Sequence, residues 1–124
     1  MRRLIGTAML LAAVVLIAGC AAQPRFTADD IEQVRFLSLF DGREWVATEA
    51  EAERLVEAYG EAKPLSNDNG TTAPARIDVT FKTGELLRIW GGGQGFQTVE
   101  WAGDQSNTEG VKLHALLADI AGEK

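Results

Sequence analysis

Few residues of this chain could do chemistry, and they are scattered. His114 is the only histidine. A general base needs an oriented partner and a metal site needs further ligands. Neither lies near it in sequence, so His114 reads as a side chain at the edge of an apolar helix stripe. Ser38, Ser66 and Ser106 lack the strand-turn-helix context of a nucleophile elbow. The run Gly91-Gly92-Gly93-Gln94-Gly95 invites a phosphate-binding reading, but the dinucleotide fingerprint needs a third glycine five residues after the first. From Gly91 that place is Phe96, and from Gly93 it is Thr98, so a flexible hairpin loop is expected instead. Glu49, Glu53 and Glu57 recur four apart and form one acidic helix ridge, each like-charged pair costing ~0.2–0.5 kcal/mol. Such a ridge is a solvated face or a dock for a basic partner. "SNDNG" at 66 to 70 is too short for a calcium loop. No catalytic residue, metal ligand or cofactor follows from these patterns. Cys20, the only cysteine, is judged by what precedes it.

Arg2 and Arg3 open the chain, and Leu4 to Gly19 run 16 residues without a charge. That is short of the ~20 residues of a permanent span. It suits a signal peptide: a basic start, an apolar stretch, small residues before a cut. Ile17-Ala18-Gly19-Cys20 resembles the lipobox of bacterial lipoproteins, with isoleucine where leucine is commoner. The resemblance covers residues 1 to 20 only. It implies that residues 1–19 are removed and that Cys20 becomes the first residue, acylated on its sulfur and amine. A plain signal peptide would instead leave a free thiol outside the cytoplasm, an unusual outcome for an unpaired cysteine. Two or more acyl chains anchor stably where one does not, at ~0.8 kcal/mol per buried methylene. Ala21 and Ala22 follow, with no aspartate; in a Gram-negative host that resembles cargo for the outer membrane, facing the periplasm. Residues 20–26 are then a lipidated start and a short tether. Ala21 to Arg25 reach at most ~18 Å, so the domain stays close to its membrane in the cell envelope.

The 104 residues after Cys20 suit one domain, expected over 27–124. Without Arg2 and Arg3, 10 basic residues face 18 acidic ones, a net charge of −8. Such a domain repels nucleic acid and anionic head groups. Without a second cysteine there is no disulfide, and stability must come from packing.

The elements that would position any site read as follows. Thr27 with Asp30 resembles a cap for one short turn. Val34 to Phe40 is rich in β-branched and aromatic residues, Asp41-Gly42 is a turn dipeptide, and "REWVA" is a short returning strand. Thr48 with Glu51 is a capping box for a helix carrying Ala52, Leu55, Val56 and Tyr59 on one face, closed near Gly60. Residues 64–74 read as a polar loop. Ile77, Val79 and Phe81 alternate with polar residues, and "ELLRIW" must pair with them. A two-residue Thr83-Gly84 turn would set Leu87 and Ile89 against Thr80 and Asp78. A three-residue Lys82-Thr83-Gly84 loop puts Ile77, Val79, Phe81, Leu87 and Ile89 on one face. "FQTVEW" is a further strand, and Asn107 or Thr108 caps a last helix with Leu113, Leu116, Leu117 and Ile120 inward. The expected fold is α+β, an antiparallel sheet of about four to five strands packed with two helices, in the order ββ-α-βββ-α.

The three-residue loop sends Leu86, Arg88 and Trp90 to the opposite face. Tryptophan and arginine are typical interface anchors, so Arg88 and Trp90 are the candidate binding residues. The alternative is that the last helix or another strand covers them. The expected function is a non-catalytic, membrane-anchored envelope lipoprotein whose domain meets another envelope protein. The contrasting expectations are an enzyme on cell-wall or periplasmic substrates, and an inhibitor or assembly factor that adds a strand to an open sheet edge. The pattern carries no information on oligomeric state.

Overall fold

A computed structural model describes residues 23–66, 73–93 and 95–122. The signal peptide and Cys20 lie outside these residues. Seven strands form one antiparallel sheet: β1 Ile31–Ser38, β2 Glu44–Val46, β3 Lys63–Leu65, β4 Ala75–Phe81, β5 Leu86–Gly91, β6 Gln97–Trp101 and β7 Asp104–Glu109, in the spatial order β2-β1-β4-β5-β6-β7-β3. Two helices, α1 Glu49–Glu61 and α2 Val111–Ala121, complete an α+β domain.

The sheet is larger than the four to five strands expected, for two local reasons. β3 contains Pro64, which suggests a loop; Pro is tolerated because the strand lies at the sheet edge, paired only to β7. β7 is "DQSNTE", a polar run that sequence reading takes as the approach to a helix cap. Its Thr108 is buried on the helix-bearing side beside Gln97, and its Asn107 is buried on the other side beside Thr98. The last helix therefore starts later, with Gly110 at its N-cap.

The period-two pattern decides which side of the sheet is buried. Val34, Phe36, Ile77, Val79, Phe81, Leu87, Ile89, Val99 and Trp101 point to one face. Leu55, Ala58 and Tyr59 of α1 and Leu113, Leu116, Leu117 and Ile120 of α2 close over that face in a single core. The capping box at α1 forms as expected, Thr48 N–H donating to Glu51 and Glu51 N–H donating to the Thr48 hydroxyl. Gly91 lies against Leu117 of α2. A Cβ built on it would sit 2.9 Å from Leu117 Cδ1 and 3.0 Å from Gln97 Cγ, so any side chain there would make its neighbours shift.

The β4–β5 register follows the three-residue loop. Phe81 N–H donates to Glu85 C=O at 2.9 Å, Gly84 has φ +93°, and Val79 faces Leu87 while Ile77 faces Ile89. The start of the domain is more ordered than a tether: Pro24 is buried, Phe26 meets Tyr59 tilted and Phe81 edge-on, each at 5.0 Å, and Gln23 Nε2 donates to Ser106 Oγ and Asn107 C=O, each at 3.0 Å.

Candidate functional site

Both helices pack on one face of the sheet. Arg88 and Trp90, on alternate positions of β5, point to the other. One row of facing residues crosses all seven strands there: Glu44, Leu37, Arg76, Trp90, Thr98, Asn107 and Leu65. The next row is Val46, Arg35, Asp78, Arg88, Glu100 and Gln105. Trp90 is half-buried and sits between Arg76 and Thr98.

The charges of this face are arranged unevenly. Arg76 donates from Nε and Nη2 to the two oxygens of Asp78, at 2.9 and 3.1 Å, a bidentate and partly buried pair. That occupies the carboxylate. Arg88 lies further off, its Nε 3.7 Å from Asp78 Oδ1, beyond hydrogen-bonding distance. Its Nε is buried without a hydrogen-bond partner among the described residues. Its side chain is nevertheless 39% exposed, and Glu100 stands opposite it on β6. At the flanks, Arg35 pairs with Glu44 at 2.8 Å, and Thr98 donates to Asn107 Oδ1 at 2.9 Å. Arg88 is thus the cation of this face least satisfied by its own chain.

The acidic ridge on α1 is partly engaged. Lys112 of α2 reaches Glu57 at 2.8 Å and Glu61 at 3.1 Å, and this ammonium holds the Glu57 carboxyl below its usual range. His114 is half-buried beside the core stripe, its Nδ1 without a hydrogen-bond partner among the described residues. Among those residues no three of His, Cys, Asp and Glu come together in a metal-binding group.

Sequence reading missed a cleft of about 350 Å³ beneath the N-terminal segment. Phe26, Phe81 and Trp101 wall it, with Arg25, Lys82 and Asp29 at its rim. It is made by packing between Phe26 and strands more than 50 residues away, and no local pattern encodes that. Compared with known proteins, the chain matches no family model, no curated protein and no solved structure.

Proposed function

We propose that this chain is an envelope lipoprotein held in the membrane by Cys20, with a small non-catalytic domain that binds another envelope protein through the face bearing Arg88 and Trp90. The observation that carries this reading is the one-sided packing of the sheet: both helices cover the same face, leaving a tryptophan and an incompletely satisfied arginine side by side on the other. Aromatic rings with arginine form the energetic centres of protein interfaces.

Strand addition at an edge is less favoured by this geometry. The two edge strands, β2 and β3, have three residues each, and β3 contains Pro64. Short edges and prolines are how sheets resist pairing with other chains. In a Gram-negative host, the residues after Cys20 fit delivery to the outer membrane, with the domain in the periplasm.

Two measurements in growing cells test the proposal. Cys20→Ser should abolish incorporation of labelled palmitate; incorporation at the wild-type level would remove the anchor. A photo-crosslinking residue at position 90 should give a discrete adduct with a second protein, and one at position 53, on the helix side, should not. Adducts from 53 with none from 90 would move the binding surface to the helices.

A further inference from the structure

The two most exposed large apolar side chains described, Phe40 and Val111, lie at one end of the sheet. The row from Glu44 to Leu65 sets the level. β1 and β7 point the same way through it, from Leu37 and Asn107 respectively. Beyond the row on that side lie Leu39 and Phe40, in the loop after β1, and Val111, the first residue of α2. Phe40 is 74% exposed and Val111 87%, the two highest values among the exposed large apolar residues described. α2 joins the two sites, starting just after β7 and ending where Arg43 Nη2 donates to Ile120 C=O at 3.2 Å.

Gln23 ties the start of the domain to Asn107 in this same row. Only Ala21 and Ala22 separate Gln23 from Cys20, so Cys20 lies at most ~11 Å from it. That is enough to reach past the two remaining residues of β7, at ~3.3 Å each.

We infer that this end of the domain rests on the bilayer that holds the Cys20 acyl chains, with Phe40, Leu39 and Val111 entering the head-group region and the strands standing along the membrane normal. This rests on the lipoprotein reading above. The domain's acidity opposes the contact less at this end than at the other, because more of its acids there have a basic neighbour. At the apolar end Asp41 is paired to Arg43 at 2.7 Å, Glu109 faces Lys63, and Lys112 sits between Glu57 and Glu61. The opposite end carries Asp29, Asp30, Glu85 and Asp104 around Lys82 and Arg25. Anionic lipid repels that end and so favours the same orientation. Held this way, the Arg88–Trp90 face stands perpendicular to the membrane and stays open to a partner in the same leaflet.

The test uses the lipidated full-length protein in nanodiscs of phosphatidylethanolamine and phosphatidylglycerol. Lipidation consumes the Cys20 sulfur, so an introduced cysteine is the one thiol open to an environment-sensitive nitrobenzoxadiazole dye. At Phe40→Cys and Val111→Cys the dye should emit in the blue-shifted range and be quenched by acyl-brominated lipid. At Thr83→Cys, in the β4–β5 turn at the opposite end, it should stay water-like. All three positions are solvent-facing, so the labels do not test folding. Water-like emission at positions 40 and 111 in protein that co-elutes with the discs overturns the inference and leaves the anchor standing. Equal quenching at 83 also overturns it. Failure to co-elute at all removes the anchor and this orientation with it.

Discussion

Arg76, two positions along β4, grips both oxygens of Asp78, and Arg88, directly across on β5, is left 3.7 Å from the same carboxylate. One acid thus serves two guanidinium groups, and it serves them unequally. Asp78→Asn should destabilise the domain by about 1–2 kcal/mol, since it weakens a partly buried bidentate pair. Arg88→Ala should change stability by less than about 0.5 kcal/mol, as an exposed and poorly paired cation does. Denaturant melts of both variants check this. Equal losses would mean that Arg88 is a structural member of the network rather than a group free for a partner.

The β6–β7 hairpin turns through Ala102 and Gly103, with φ values of +55° and +85°. Two positive φ values mark the type I′ turn, which prefers Asn-Gly. Ala102 has no business there on conformational grounds, since its Cβ is strained where asparagine is tolerated. Ala102→Asn should therefore stabilise the domain by about 0.5–1 kcal/mol, read as a higher melting temperature. A lower one would show that Ala102 makes contacts that outweigh the strain.

Tyr59 is the single tyrosine, and its hydroxyl is buried without a hydrogen-bond partner among the described residues. Burial pushes its ionisation well above the ordinary value of 10.0. Below pH 10 the phenol is neutral folded or unfolded and contributes no pH dependence. Above it the unfolded phenol ionises first, so the folded state loses stability as pH rises. Tyr59→Phe should match or exceed wild-type stability at neutral pH, by up to about 1 kcal/mol, and should lack the phenol's share of the alkaline loss. Absorbance titration reads Tyr59 without overlap from another tyrosine. A midpoint near 10 in the folded protein would contradict the burial.

Legibility in the sequence followed local signals. The β4–β5 register was readable because only one loop length puts Leu87 and Ile89 with Val79 and Phe81, and a glycine stood where that loop needs a left-handed residue. The Thr48–Glu51 capping box and the Leu113, Leu116, Leu117, Ile120 stripe were readable from their spacing. β7 was not, because its turn is Ala-Gly rather than Asn-Gly, and because its buried residues, Asn107 and Thr108, are polar and take partners from the neighbouring strands, among them Thr98 and Lys63 C=O. β3 was hidden by Pro64. Arg88 and Trp90 could be placed on a face from sequence, but the competition for Asp78 depends on Arg76, two strand positions and one neighbour away. The packing of Phe26 and the cleft beside it have no local signature.

Trp101 and Trp90 separate core from surface on the same sheet. Trp101 is 5% exposed and meets Phe81 edge-on at 5.5 Å. Trp101→Ala should cost about 3–5 kcal/mol, as buried aromatic truncations do. Trp90 is only half-buried, so Trp90→Ala should cost clearly less, by denaturant melt under the same conditions.

The most direct measurement of the binding-face claim is the affinity of the folded Trp90→Ala protein for the partner captured by the crosslinker at position 90. Loss of an interface anchor costs about 2 kcal/mol or more, a weakening of roughly thirtyfold. The account predicts that loss together with a stability change smaller than that of Trp101→Ala. Unchanged affinity in the folded fraction, with a stability loss of about 3–5 kcal/mol, would contradict it and make Trp90 a core residue.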